Sequence, residues 1–288
     1  MARKPSSQSR KDPDPSPDIL SPEEAPINEP SLKDSLTIQV RVIGALLMRE
    51  ILTRYERHNI GFLWLFLEPM LFTLAVTTLW SLVRGGEEAT SVPIVPFIVT
   101  GYSGVLLWRN MPNRCVKAVQ PNHTLMHHRN VKLIDIYAAR LLLEGSGATI
   151  SFSVLFLVFT YLGWMDFPKN PLEVVFGWIM LAWFGCSLAL FIGALSERAE
   201  VVHIIWHPTA YILFPLSGAV YSVDALPPAF QHAVLWLPMV HGVEIVREGF
   251  FGTAYRAHYD VAYMAWFSLV LMLLAMTQVR EASRKIIV

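Results

Sequence analysis

The feature that most constrains this chain is a series of six stretches after residue 60, each roughly as long as a bilayer crossing and almost free of charge. They cover about residues 61–83, 92–108, 145–165, 174–196, 201–223 and 261–279. A hydrocarbon layer of roughly 30 Å takes about 20 residues of helix. Only the first stretch holds an acid, Glu68 beside Pro69, and the second has 17 residues unless it runs on through Asn110. None alternates as a barrel strand does, and lipid leaves unpaired backbone amides unsolvated, so the expectation is an all-α polytopic membrane protein with six transmembrane helices. At 53% hydrophobic and 16% charged residues, a water-soluble enzyme is excluded.

The charges then set the orientation. Of the 23 Lys and Arg, 19 lie in segments 1–60, 109–140, 197–200 and 280–288, and four in 84–91, 166–173 and 224–260. Positive residues accumulate on the cytoplasmic side, so both termini are expected inside. The formal net charge is zero, which makes no case for a nucleic-acid partner. Cys115 and Cys186 cannot form a disulfide framework or a four-ligand zinc site and read as packing residues.

Residues 1–35 hold seven of the 19 prolines, and the first aromatic of the chain is Tyr55. Such a tail buries too little apolar surface to offset its ordering entropy and reads as disordered; without an apolar stretch it is no signal peptide. Residues 36–60 read as an amphipathic interfacial helix, with Leu36, Val40, Ile43, Leu47 and Ile51 on one stripe and Arg41, Arg49 and Glu56 turned away. It is either a plain membrane anchor or a docking platform. Glu50 and Arg54 interrupt the stripe at i,i+4 and are expected to pair. The transmembrane domain is then 61–288.

Two connections are more than turns. Segment 109–140 is too basic for lipid and reads as a cytoplasmic arm containing a short helix. Segment 224–260 contains apolar pieces, Phe230–Leu237 and Val240–Val246, too short to span and broken by Pro227, Pro228 and Pro238. They suggest re-entrant half-helices on the external side, buried in protein or lining a cavity.

The motifs of catalysis are missing. No glycine precedes a lysine, so the chain has no phosphate loop for ATP, and it lacks G-x-S-x-G and H-E-x-x-H. His123/His127 and His203/His207 are i,i+4 pairs that would put two imidazoles on one face. A metal site is the sharp reading, and surface packing or pore lining the plain one. Glu68 is costly within a span and shares a face with Trp64, either beside a polar path or near the interface, paired with Arg57 or with a partner helix. Phe152, Phe156 and Phe159 read as packing, and Trp108, Tyr161, Trp164, Tyr221 and Tyr263 as interfacial aromatics.

Three motifs stand in order along the chain. Arg49-Glu50-Ile51-Leu52-Thr53-Arg54-Tyr55 precedes Gly61-Phe62-Leu63-Trp64-Leu65-Phe66-Leu67-Glu68-Pro69. Arg129-Asn130-Val131-Lys132-Leu133-Ile134-Asp135, with Arg140 and Glu144, lies in the arm and just beyond. Leu237-Pro238-Met239-Val240-His241-Gly242-Val243-Glu244-Ile245-Val246-Arg247-Glu248 is external. Together they resemble the permease subunits of ABC exporters for capsular polysaccharide, in the wider ABC-2 group, across about residues 36–285. Asn130, Leu133 and Leu237 depart from the pattern, which has prolines at the first two positions and Asn at the third.

The resemblance implies a half-transporter. A homodimer would form the conduit, two ATPase subunits would dock below and carry ATP and Mg, and a periplasmic co-polymerase-like adaptor and an outer-membrane polysaccharide channel would complete the path. The cargo would be a lipid-linked acidic polysaccharide leaving the cytoplasm across the bacterial inner membrane. It further implies that Arg49, Glu50, Arg54, Arg129, Lys132 and Asp135 couple to the ATPase. Tyr55, Trp64 and Glu68 would line the path, and His241, Glu244, Arg247 and Glu248 would shape an external gate. An exporter of O-antigen, teichoic acid or another cargo, a lipid-linked sugar transferase and a secondary transporter are the competing readings. The last two lack their usual clustered carboxylates and internal repeats here.

Overall fold

The computed structural model describes residues 32–55, scattered positions between 67 and 82, 92–128 and 131–287. Among the described residues there is no strand. The helices are α1 (Leu32–Tyr55), α2 (Ile94–Cys115), α3 (His123–His128), α4 (Leu133–Tyr161), α5 (Pro171–Arg198), α6 (Glu200–Leu216), α7 (Pro228–Val234), α8 (Pro238–Phe251) and α9 (Val261–Ile287). The described positions of the expected first span are helical, and Trp64, Glu68 and most of that span lie outside the described residues.

Among the described residues three helices are long and apolar enough to cross a membrane: α4, α5 and α9, the last over Val261–Lys285. Helix α5 is the centre of the fold and packs against α2, α8 and α9. Small residues let it approach closely: a Cβ on Gly185 would sit 3.0 Å from the Trp108 Cα. Trp108 is therefore wholly buried and meets Phe184, a correction to its expected place at the interface. Phe152 stacks on Trp178 at 4.7 Å and Phe159 is buried, as a packing role requires.

The arm is shorter than expected. Helix α2 runs through Arg109 to Cys115, and α4 begins at Leu133, so both ends of segment 109–140 belong to long helices. Hydrogen bonding from turn to turn carries a helix past the point where its side chains become polar. The connection itself holds a 3-10 turn at Gln120–Asn122 and the short α3.

Helix α1 lies along α4. Against the other helices it buries Leu46, with Val42, Ile43 and Leu47 packed beside it. Leu36 and Val40 stay exposed. Gln39, the pair Val42/Ile43, Leu46 and the pair Arg49/Glu50 form a second i,i+3/i+4 series, apolar in the middle and polar at both ends.

Between α6 and α9 the two apolar pieces form α7 and α8, each with proline in its first turn, where its missing N–H costs no hydrogen bond. Every residue of α8 except Glu248 is buried. Gly252, at φ 60°, ends it.

Candidate functional site

Charged side chains gather at two places, near opposite ends of α2. Phe97 and Arg114, which touch the two clusters, stand 17 residues apart, roughly 26 Å along a helix.

At the Arg114 end, α1, α2 and α4 meet in an ion-pair network. Arg140 Nε donates to Glu50 Oε1 at 3.0 Å, with side-chain exposures of 10% and 13%. Arg140 Nη1 also donates to the Arg114 carbonyl at 2.6 Å, while Arg114 Nε pairs with Glu144 Oε1 at 3.1 Å. Glu50 thus reaches Arg140, 90 residues away on α4. The Arg54 side chain, expected to pair with Glu50 along α1, lies outside the described residues.

The neighbouring contacts fasten α1 to the arm. Arg49 donates to Asn122 Oδ1 and, at 3.2 Å, to the Pro121 carbonyl, so it is not turned away. Asn122 is buried and its amide donates to the Ala118 carbonyl at 2.8 Å. Asp135 accepts from Gln39 and, at 3.0 Å, from the Lys132 amide, which satisfies a free N–H at the start of α4. On its other side the arm is tied to the end of α5 and the start of α6: the Val119 amide donates to Glu197 Oε1 at 2.9 Å, and Lys117 pairs with Glu200 at 3.4 Å.

Of the residues expected to couple to an ATPase, the structure thus brings together Arg49, Glu50 and Asp135, with Lys132 contributing its backbone. Arg129 and the side chains of Arg54 and Tyr55 lie outside the described residues. Arg114, Glu144, Gln39 and Asn122 were not singled out as site residues. Their signal was faint: an acid and a base near the ends of apolar helices, with no spacing that links them to residue 50.

At the other end, His241, Glu244 and Arg247 sit on α8 and are buried. Arg247 Nη1 donates to the carbonyls of Gly218 at 2.7 Å and Tyr221 at 2.8 Å, and Nη2 to Ala219 at 2.6 Å. Its guanidinium carbon lies 3.6 Å from the centroid of Phe97. Gly101 permits this, since a Cβ there would stand 2.5 Å from Arg247 Nη2. Glu244 is 3.9 Å from Arg247 and accepts from the Tyr255 hydroxyl at 2.5 Å and the His258 amide at 3.0 Å. Burial raises the Glu244 carboxyl above the ordinary carboxylate range, against the pull of Arg247, Tyr255 and His258.

His241 accepts from the Asp260 amide at 2.8 Å through Nδ1 and donates from Nε2 to the Leu235 carbonyl at 2.8 Å, which fixes the neutral tautomer. Burial holds it below its ordinary 6.5. Within one chain these residues are cross-braces that bind α8 to α2, to the turn after α6 and to the segment before α9. The expected pairing along α8 is reduced to one loose contact, because isolated buried charges need several donors or acceptors and one helix face supplies too few. Glu248 faces Tyr259, whose hydroxyl also meets Glu173 at 3.4 Å.

The imidazoles of His203 and His207 do share a face of α6, edge to face at 5.1 Å. No group of three or more metal-binding side chains occurs among the described residues.

Comparison with known proteins adds a family. Residues 41–251 match the ABC-2 type transporter family. The chain is 40% identical over 258 residues to the capsule polysaccharide export inner-membrane protein CtrC of Neisseria meningitidis serogroup B, covering 90% of this chain and 97% of the relative. It is 38% identical over 259 residues to the capsule polysaccharide export inner-membrane protein BexB of Haemophilus influenzae, with the same coverage of 90% and 97%. To the polysialic acid transport protein KpsM of Escherichia coli it is 26% identical over 259 residues, covering 86% and 97%.

Proposed function

Because this chain belongs to the ABC-2 type transporter family, we propose that it is the membrane permease of an ATP-driven exporter that moves capsular polysaccharide out of the cytoplasm. The sequence carries no phosphate loop, and a separate ATPase subunit supplies ATP and Mg chemistry. Two copies of the permease form the conduit, each with six spans, both termini in the cytoplasm, and α7 and α8 re-entering the membrane from outside. A periplasmic adaptor and an outer-membrane channel carry the polymer onward. The polysialic acid named for the KpsM relative is a polymer of carboxylated sugars, and the cargo of this chain is likewise acidic and lipid-linked.

The observation that carries the mechanism is the fastening of α1 to the arm and to α4. Arg49 to the arm, and Gln39 and Glu50 to α4, make one continuous block. Glu197 and Lys117 extend it to α5 and α6. An ATPase that closes against this cytoplasmic surface moves several helices at once rather than bending a loose loop. Tyr55, Trp64 and Glu68 then guide the sugar chain, while Arg54, Arg129 and Lys132 couple to the ATPase. At the far end the braces of His241, Glu244, Arg247 and Glu248 make α8 a rigid flap that opens as a unit.

Deleting the chain in its native host tests this reading. Polysaccharide lost from the surface with lipid-linked polymer accumulating inside is the expected outcome. Loss from both compartments would indicate a synthetic enzyme instead, and an unchanged surface would remove capsule as the cargo.

A further inference from the structure

Arg109, inside the helical bundle, takes no part in either cluster. Arg114, Arg140 and Arg198 each end on a carboxylate, and Arg247 on a set of carbonyls. Arg109 of α2 ends on aromatic rings: its guanidinium carbon is 5.7 Å from the centroid of Tyr211 and 5.8 Å from that of Phe214. Tyr102 adjoins it and meets Phe214 edge-on at 5.6 Å. Arg109 Nε is buried with no hydrogen-bond partner, and no carboxylate pairs with this side chain among the described residues.

The plain alternative is an arginine snorkelling to the cytoplasmic interface. Its direction argues against that. Side chains on a helix lean toward the N-terminus, and α2 enters from the external end, so Arg109 leans away from the cytoplasm. Tyr102, two turns before it, and Tyr211 and Phe214, in the later half of α6, agree with this direction.

The surroundings are open on one side. Tyr211 is 70% exposed on α6, a helix only lightly packed on its neighbours. His203, His207 and Tyr211 stand at i, i+4 and i+8, one polar stripe leading to the arginine, on a helix that otherwise exposes Ile204, Ile205, Ile212 and Leu216. Polar and ionisable groups within a membrane face a watery path rather than lipid.

We propose that Arg109 and Tyr211, approached along His203 and His207, form an anion subsite on the conduit wall for the acid group of the passing polysaccharide. The guanidinium takes a sugar carboxylate or phosphate, and the Tyr211 face stacks on the ring that bears it. The aromatic box holds the cation without neutralising it, so the charge remains available and release is not blocked by a competing carboxylate. This proposal rests on the export reading above.

The test uses the purified full chain in lipid nanodiscs and oligosialic acid as the probe, with neutral dextran oligomers as control. Arg109→Gln is expected to weaken oligosialic acid binding about fivefold or more and to reduce its salt dependence. Arg109→Lys is expected to keep most of the affinity, and Tyr211→Ala to lose it several-fold while leaving thermal unfolding unchanged. Unaltered oligosialic acid binding in a folded Arg109→Gln, or a loss that affects anionic phospholipid and not the oligosaccharide, would overturn the subsite.

In cells, Arg109→Gln is expected to lower surface polysaccharide and raise the intracellular pool. Wild-type export by this variant, in a host where deletion abolishes export, would refute the subsite alone. Normal surface polysaccharide after deletion would refute the export reading itself.

Discussion

The pair between Glu50 and Arg140 is the contact on which the coupling block most depends, and its worth can be worked from the geometry. Both side chains are nearly buried, at 10% and 13% exposure, and meet at 3.0 Å. Removing one partner of a buried pair costs about 3–5 kcal/mol, and the remaining exposure favours the lower end, about 3 kcal/mol for Glu50→Ala. Arg140→Ala also strands the Arg114 carbonyl, now accepting at 2.6 Å, which adds about 1 kcal/mol. In a chain of this size each kcal/mol moves the melting temperature by about 2–4 °C, so Glu50→Ala should lower it by about 6–12 °C and Arg140→Ala by somewhat more. The double variant leaves neither charge orphaned by the loss of the other, so its loss should fall short of the sum by about 2 kcal/mol, or about 4–8 °C. Thermal unfolding of the purified chain in one detergent, followed by tryptophan fluorescence at one scan rate, measures all three. Strict additivity, or single variants that melt with the wild type, would show that the pair is not what fastens α1 to α4.

Other consequences follow from the same geometry. Arg247→Lys should destabilise by about 3 kcal/mol despite keeping the charge, because a single ammonium cannot serve the Gly218, Ala219 and Tyr221 carbonyls together; a melting temperature equal to the wild type would contradict this. Gly101→Ala should cost about 1–3 kcal/mol, since the new Cβ would stand 2.6 Å from the Ala219 carbonyl. Gly44→Ala, with open space around it in α1, should stabilise by about 0.5–1 kcal/mol, and the reverse order in a melting comparison would refute the packing. His241 is held below 6.5 by burial, so the unfolded chain takes up its proton before the folded one. The stability this gives is complete above that value and is lost as the pH falls below it toward the folded-state value. His241→Gln should accordingly flatten the fall in melting temperature between about pH 7 and pH 5, and an unchanged slope would assign the acid sensitivity elsewhere.

Much of the fold was legible in the residues. The charge-free stretches at 174–196 and 261–279 fall within helices long and apolar enough to cross a membrane, and 145–165 overlaps a third, which ends at Tyr161. Proline marked the starts of α7 and α8, and the three motifs carried the family. Less legible were the limits of the arm. Charge density says where lipid should end, whereas a helix stops only where its backbone hydrogen bonds do, and α2 and α4 continue beyond the apolar residues.

What the sequence by itself determined was therefore everything local: which segments are helical, which of them suit lipid, and where short-range chemistry caps or breaks them. Only the tertiary structure decided the partners. Glu50 meets Arg140, 90 residues away, and Arg247 passes over the loose Glu244 contact to bind carbonyls 26 to 29 residues away. Trp108 leaves the interface for the core beside Gly185. Spacing along one helix fixes which side chains are near each other, but a buried charge settles wherever enough donors or acceptors converge. That convergence is a property of packed helices, and no periodicity within a single helix encodes it.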